Sequence, residues 1–259
     1  MNIVISCACV QGAKETNQDY YGLRCGSETE TLETGGSFLE KRMNHISHIT
    51  AAVADGVSLS FHPENMNEDA AAVTVNHLLS QLYYQSEHES QLPLIADELN
   101  RLILNRSKQM KGRMATTLSA IFINPQKAVL MYTGDSPMIR IHGKHFRLIT
   151  PLKTSSYLEN YLGNAYHSGR DMSSFVSFPL CKNDIYILAT DGALEAFYKE
   201  DGTLDQDEIR RIVLDMPGNN AQNLIRISGE RNLAGTEMKC TDDRTAMIIR
   251  IEEINYEQE

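Results

Sequence analysis

The chain has 259 residues, of which 42% are hydrophobic, and its formal net charge is −10 at pH 7. This length allows one large domain or two small ones, and the hydrophobic content is sufficient for a substantial core. The negative charge argues against a nucleic-acid partner, because nucleic acids are normally held by a broad basic surface.

The sequence also contains no apolar run that approaches the roughly 20 residues needed to cross a bilayer. Its N-terminal residues 1–10 lack the basic start and the cleavage site of a signal peptide. The five cysteines are scattered and odd in number, which is typical of a reducing cytosol. We therefore expect a cytoplasmic protein with no membrane partner. Cys7 and Cys9 are expected to be buried thiols, since a zinc site would need closer Cys/His pairs than these.

The first half of the chain predicts strands followed by two helices. Apolar or alternating stretches predict strands at 3–10, 20–23 and 49–54. The polar stretch 28–44 predicts a loop or a long hairpin connection. Apolar stripes at helical spacing predict helices at 65–84 and 94–110, with Pro93 in the first turn of the second. His45 and His48, just before the third strand, are expected to be solvated.

The second half predicts two hairpins, a polar excursion, a buried strand, two more helices and a final strand. The strands are predicted at 116–123, 128–133, 138–141, 145–149, 185–189 and 245–251, and the helices at 205–216 and 220–231. His142 and His145 flank the turn at Gly143 and are expected to be solvated. Residues 151–174 are polar and contain two glycines, so they predict a long surface segment.

Acidic residues recur where these strands begin or end. Asp55 and Asp191 each follow an apolar strand and precede a glycine, and Asp135 follows a third strand. Asp19 comes after the first strand, and Asp242 comes just before the last one. A single Asp-Gly pair is usually a plain turn, but carboxylates that converge at one sheet edge repel each other unless cations neutralise them. Oxygen ligands suit Mg²⁺ or Mn²⁺, and paired ions of this kind serve phosphoryl chemistry.

The order of these motifs resembles the metal-dependent serine/threonine protein phosphatases of type 2C, the PPM family, in their bacterial form. The similarity runs from about residue 14 to residue 245. It rests on Lys14 with Asn17-Gln18-Asp19, Val53-Ala54-Asp55-Gly56, Ala115-Thr116-Thr117, Gly134-Asp135-Ser136, Thr190-Asp191-Gly192 and Asp242-Asp243-Arg244-Thr245. It implies an α+β fold, a four-layer αββα sandwich of two antiparallel sheets flanked by helix pairs. A single phosphatase domain at 1–259 is then expected, with a flap near the active site at about 151–174.

The resemblance also implies a metal centre with two ions of Mn²⁺ or Mg²⁺. Asp55 would bridge the two ions, and the Gly56 carbonyl would bind one of them. Asp191 and Asp242 would complete the shell of the first ion. Asp19 would serve the second ion, directly or through water.

A looser third ion would be held by Asp135 together with Asp191. Lys14 would stand where the family usually has the arginine that binds the substrate phosphate, but lysine lacks the bidentate fork of arginine. Gln18 stands where many members have glutamate, and Asp243 replaces an asparagine and adds negative charge beside the site. No direct aspartate ligand is lost, so the resemblance implies an active enzyme.

We accordingly expect hydrolysis of phosphoserine and phosphothreonine in proteins by a metal-activated water, with Lys14, Asp55 and Asp191 as catalytic residues. The partners would be a phosphoprotein substrate and a cognate serine/threonine kinase, and the protein is expected to be a monomer. An alternative is a non-catalytic module of the same fold that senses phosphoproteins or metal ions. A metal-dependent nuclease is a third hypothesis, which the net charge of −10 disfavours.

Overall fold

Two six-stranded antiparallel sheets form the centre of the fold. The computed structural model describes residues 1–26, 28–32, 38–57, 70–82, 88–151 and 160–254. The strands are β1 (Asn2–Val10), β2 (Asp19–Cys25), β3 (Glu28–Leu32), β4 (Phe38–Met43), β5 (Ile49–Asp55), β6 (Leu118–Ile123), β7 (Lys127–Thr133), β8 (Met138–His142), β9 (His145–Leu148), β10 (Ser173–Pro179), β11 (Ile185–Ala189) and β12 (Arg244–Glu253). The α-helices are α1 (Ala70–Gln81), α2 (Leu92–Gln109), α3 (Gly169–Met172), α4 (Asp191–Leu194), α5 (Gln206–Leu214) and α6 (Asn220–Glu230).

The first sheet has the strand order β4-β1-β12-β11-β8-β9, and the second has the order β10-β7-β6-β5-β2-β3. The inner faces of the two sheets pack on each other through apolar residues such as Ile5, Tyr186 and Met247 from the first sheet and Tyr21 and Val53 from the second. The central strands β6 and β11 are buried along their whole length because helices cover their outer faces as well.

The longer helices lie outside the two sheets in pairs. Helices α1 and α2 cover the second sheet, where Val75 and Leu99 share a core with Leu118. Helices α5 and α6 cover the first sheet in the same way. This arrangement confirms the predicted αββα sandwich. Within the described ranges, no helix combines the length and the apolar character needed to cross a membrane.

Residues 28–44 correct one prediction, because they contain two strands that join different sheets. Strand β3 pairs with β2 in the second sheet, whereas β4 pairs with β1 in the first. In β4, exposed residues alternate with half-buried ones, so the sequence shows no apolar run that would reveal a strand. His48 is also buried rather than solvated, and its ring bonds the Thr50 hydroxyl at 3.1 Å.

The predicted flap divides into two parts. Residues 152–159 lie outside the described residues. The part from residue 160 onward docks on α2, where Asn100 donates to the carbonyls of Asn164 and His167 and accepts from the Gly163 amide. It continues into β10, an unpredicted edge strand that pairs with β7. A flap therefore stays a prediction for the segment just before residue 160.

Candidate active site

The predicted acidic residues of the two sheets come together at one end of the sandwich. In the second sheet, Asp19 at the start of β2 lies directly opposite Asp55 at the end of β5. In the first sheet, Asp191 follows β11 and Asp242 precedes β12, which is the antiparallel neighbour of β11. The Thr190 hydroxyl joins the two sheets here, since it donates a 2.7 Å hydrogen bond to Asp19 Oδ2.

Asp19 is the most deeply buried of these acids, with 1% of its surface exposed. Its Oδ1 atom has no hydrogen-bond partner among the described residues. Burial raises the pKa of Asp19 to about 8 in spite of the hydrogen bond from Thr190, and the nearby charge of Asp243 contributes to the rise. A buried oxygen left without a partner costs about 1–3 kcal/mol, so this atom is a good position for a cation.

Asp55 lies at the centre of the cluster. Burial raises its pKa well above the usual range, and the charges of Asp19, Asp191 and Asp242 raise it further, while Lys14 opposes them. The charges of the other three acids thus act on Asp55. Oxygen donors with mutual repulsion fit hard divalent cations, which would neutralise the charge and satisfy Asp19 Oδ1.

The two threonines of the Ala-Thr-Thr motif hold Asp55 in place. The Asp55 carbonyl accepts from the Thr117 amide and from the Thr116 hydroxyl, both at 2.9 Å, and its amide donates to Thr117 Oγ1. Thr117 Oγ1 in turn shares a 2.6 Å hydrogen bond with Ser136 Oγ. Asp135, the neighbour of Ser136, is therefore fixed to the same end of the second sheet.

Lys14 is the basic residue of this cluster, and its Nζ atom lies 2.6 Å from Asp242 Oδ1. Burial lowers the pKa of Lys14, but the hydrogen bond to Asp242 and the charges of Asp242, Asp55 and Asp243 outweigh this, so that its pKa is raised overall. The side chain is therefore a cation at neutral pH. About a third of its surface is exposed, so it lies where the cluster meets solvent.

Asp243 has a structural role that its position in the sequence does not reveal. It is buried, and its two carboxylate oxygens accept from the Gly12 amide at 2.7 Å and from the Gln18 amide at 2.8 Å. These contacts fasten the loop that carries Lys14 to the turn before β12. The Asp243 carboxylate, which was expected to add charge beside the site, therefore also holds two of the site's loops together.

We predict that Asp243→Ala lowers the free energy of unfolding by about 3 kcal/mol, since each hydrogen bond to a charged group contributes about 1.5–3 kcal/mol and relief of repulsion offsets part of the loss. Urea denaturation of the metal-free protein measures this. Asp243→Asn keeps one acceptor oxygen and should lose less. Equal stability of the wild type and the alanine variant would contradict the role.

Two glycines allow the backbones of the site loops to approach closely. A Cβ atom on Gly192, the residue after Asp191, would lie 2.1 Å from the Asp243 carbonyl oxygen. A Cβ atom on Gly12 would lie 2.2 Å from the Thr241 carbonyl oxygen. The glycine of the Thr-Asp-Gly motif is thus needed because another chain segment packs against it.

The buried thiol of Cys9, predicted as such, lies beneath the cluster. Its Sγ atom accepts from the Asn17 side chain at 3.2 Å and from the Thr245 hydroxyl at 2.9 Å. These bonds connect the Asn-Gln-Asp motif with the first residues of β12. Residues from both ends of the chain are thereby in contact next to Asp19.

Comparison with solved structures finds the same fold in several bacterial phosphatases. Stp1 from Staphylococcus aureus matches with a TM-score of 0.70 at 14% identity, over 96% of this chain and 95% of that one. The serine/threonine phosphatase of S. agalactiae matches with a TM-score of 0.68 at 16% identity, over 96% of this chain and 100% of that one. The catalytic domain of PstP, solved with two manganese ions, has a TM-score of 0.64 at 14% identity, over 98% of this chain and 100% of that one.

No curated protein sequence matches the chain significantly. The family model for Stage II sporulation protein E (SpoIIE) matches residues 69–252, which is more than half of the chain and includes Asp135, Asp191 and Asp242. The chain therefore belongs to the SpoIIE family, which confirms the type 2C (PPM) phosphatase family predicted from its motifs.

Proposed function

We propose that this protein is a metal-dependent protein phosphatase that hydrolyses phosphoserine and phosphothreonine. The observation that carries the proposal is the cluster of acids around Asp55, in which the pKa values of Asp19 and Asp55 are raised and Asp19 Oδ1 lacks a hydrogen-bond partner among the described residues. Such a cluster is unfavourable unless divalent cations neutralise it. Membership of the PPM family supports phosphoryl transfer to water as the reaction.

The residues that would hold Mn²⁺ or Mg²⁺ supply oxygen atoms, which is the donor type that both cations prefer. Asp55, the Gly56 carbonyl, Asp191, Asp242 and Asp19 would hold two such ions. Two manganese ions in the PstP structure support this number for a protein of the same fold. When bound, such ions lower the pKa of water and neutralise charge on a phosphoryl group.

A third, weaker ion would be held by Asp135 and Asp191. Ser136 supports this proposal, because its hydroxyl is bonded to the Thr117 hydroxyl and so holds the neighbouring Asp135 at the same end of the sheet. Phosphoproteins are the proposed substrates. A serine/threonine kinase is proposed as the partner that phosphorylates them.

Lys14 would bind the substrate phosphate. Its side chain is charged, partly exposed and ion-paired with Asp242, so it can turn toward a phosphate oxygen without leaving the site. Lysine contributes a point charge, whereas arginine would contribute two parallel hydrogen bonds. Hydrogen bonds from Thr190 to Asp19 and between Thr117 and Asp55 would keep the two acids in position.

Replacement of Lys14 gives a direct prediction. Lys14→Met should lower kcat/KM by about 10- to 100-fold, which corresponds to the loss of one charge-assisted hydrogen bond to phosphate. Lys14→Arg should retain more activity than Lys14→Met, because its charge is kept. Steady-state kinetics with a phosphothreonine peptide measures both, and equal kcat/KM values for wild type and Lys14→Met would remove Lys14 from the substrate site.

The proposed function is tested by hydrolysis of p-nitrophenyl phosphate and of a phosphothreonine peptide, with Mn²⁺, with Mg²⁺ and with EDTA. Turnover that requires the metal ion supports the phosphatase. Metal binding in calorimetry without turnover of either substrate would instead favour the non-catalytic sensor. Cleavage of DNA or RNA under the same conditions would favour the nuclease.

A further inference from the structure

A second group of metal-ligating side chains lies at the opposite end of the first sheet. His142 ends β8, Asp184 immediately precedes β11, and Cys181 lies in the turn between β10 and β11. One ligand atom from each of the three lies within 4.8 Å of the others. Asp184 and Asp191 flank the two ends of β11, and a strand rises about 3.3 Å per residue, so the two places are roughly 20 Å apart.

Asp184 is held as a preoriented ligand. Its side chain is fully buried, and its Oδ2 atom accepts from Arg140 at 2.9 Å, from Tyr186 at 3.1 Å and from the Cys181 amide at 3.1 Å. Its other oxygen, Oδ1, is hydrogen-bonded to His142 Nδ1 at 2.7 Å, and zinc would take the place of the proton between them. Oδ2 thus fixes the side chain, and Oδ1 is left to face the His142 ring. Hydrogen bonds of this kind are how proteins orient the ligands of a metal ion.

The three donor atoms are an imidazole nitrogen, a thiol sulfur and a carboxylate oxygen. Zinc accepts all three, whereas Mg²⁺ and Mn²⁺ prefer oxygen, so the cluster selects a different ion from the acids around Asp55. The buried charge of Asp184 is already balanced by Arg140. Ionisation of the Cys181 thiol, which accompanies zinc binding, would add the negative charge that the cation needs. We infer that His142, Cys181 and Asp184 form a zinc site that is separate from the candidate active site.

His145 can supply a fourth ligand. In the β8–β9 hairpin it is the direct partner of His142. Residues that lie directly opposite in an antiparallel pair project from the same face, with Cβ atoms about 4.5–5.5 Å apart. Both histidines are exposed, but the His145 nitrogens are not among the atoms that lie within 4.8 Å of one another, so its ring would have to rotate toward the other three donors. Four ligands would give zinc its usual closed tetrahedral shell.

Zinc at this position would join two segments of the chain. His142 belongs to the β8–β9 hairpin at the edge of the first sheet, and Cys181 and Asp184 belong to the turn that enters β11. The ion would therefore fix an edge hairpin to a central strand. In the absence of zinc, Asp184 still serves as the counter-ion of Arg140, so the site does not depend on the metal for its fold.

Cobalt(II) is the probe that tests this inference, because cobalt bound to a thiolate gives a near-ultraviolet charge-transfer absorption that carboxylate ligands do not give. The full chain carrying Asp191→Asn is titrated with Co²⁺, so that binding among the acids near Asp55 is weakened. We expect one equivalent of thiolate-bound cobalt, which zinc displaces. Cys181→Ser should abolish the absorption, and His142→Ala should weaken cobalt binding at least tenfold.

Cys25→Ala is the matched control, since it removes another cysteine from the same end of the sandwich and should leave the absorption unchanged. Absence of the thiolate absorption in the parent protein, or its persistence in Cys181→Ser, would overturn the inference. Folding of each variant is checked by circular dichroism. If Cys181→Ser is unstable, His142→Ala, at an exposed position, replaces it as the test variant, and unchanged cobalt binding in it would contradict the inference. Phosphatase activity is not a readout, so failure here leaves the proposed function untouched.

Discussion

Replacement of either Asp55 or Asp191 by asparagine is expected to lower kcat by about a thousandfold or more while the fold is retained. Asparagine keeps the shape of the side chain and one acceptor oxygen, but it removes the negative charge that binds a divalent cation. Metal ions contribute several kcal/mol to the stabilisation of such transition states, and 4 kcal/mol corresponds to about a thousandfold in rate. Steady-state hydrolysis of p-nitrophenyl phosphate with saturating Mn²⁺ measures the loss.

Stability should move in the opposite direction to activity in these variants. Asp55 is buried beside Asp19, Asp191 and Asp242, and its pKa is raised by burial and by their charges. Asp55→Asn relieves this repulsion, so the metal-free variant should unfold at the same temperature as wild type or at a higher one. Such a trade between stability and activity is common at sites that gather like charges.

Asp207→Asn is the matched control for this experiment. Asp207 is exposed in the first turn of α5, so its replacement removes a carboxylate of the same kind far from the cluster. The control should keep the activity of the wild type. Activity within tenfold of wild type in Asp55→Asn or Asp191→Asn would exclude these residues from the reaction and with them the proposed metal centre.

The parts of the fold that the sequence predicted are those with strong local patterns. The central strands β5 and β11 carry unbroken apolar runs because both of their faces are covered. The edge strands β4 and β10 were missed because part of each strand is exposed, so polar residues interrupt the pattern. The edge strand β9 was predicted because it follows β8 across the turn at Gly143, whereas β4 and β10 pair with strands that are distant in the sequence.

The acids of the site were predictable for a related reason. Asp55, Asp135 and Asp191 follow apolar strands, and strand ends at one edge of a sandwich are brought together by the topology. The contacts that hold them were not predictable, because they join distant parts of the sequence. Asp243 binds the amide of Gly12, which is 231 residues earlier in the chain.

The separate cluster of His142, Cys181 and Asp184 was hidden from the sequence in the same way. No other cysteine or histidine lies close to Cys181 in the sequence, so the cluster does not show the paired Cys/His spacing that marks a zinc site. The His142 and Asp184 side chains are 42 residues apart in the sequence and meet only because β8 and β11 are neighbours in the first sheet. Both histidines of the hairpin were expected to be solvated, and the exposure of their side chains is consistent with that, but His142 also has a buried acid as its partner.

Without divalent cations, the protein is expected to become less stable as the pH rises from about 4 to about 8. Burial raises the pKa of Asp19 to about 8 in the folded protein, whereas an aspartate in the unfolded chain has a pKa of about 3.9. Between these values the folded state binds more protons than the unfolded state, so the free energy of unfolding decreases with pH. Because one pKa unit corresponds to 1.36 kcal/mol, the upper limit for this residue is on the order of 5 kcal/mol.

Cations should reverse this loss, because they bind the ionised form of the cluster and so stabilise the folded state most where the acids have lost their protons. Addition of Mn²⁺ to the EDTA-treated protein should therefore raise Tm more at pH 8 than at pH 5. Other groups titrate in the same range, so the decisive quantity is the difference between wild type and Asp19→Asn, whose side chain does not titrate. We expect the wild type to lose stability relative to this variant as the pH rises without metal. Parallel Tm curves for the two proteins would show that Asp19 is ionised at neutral pH without a bound cation. The buried Asp19 carboxylate would then no longer explain why the site binds a cation.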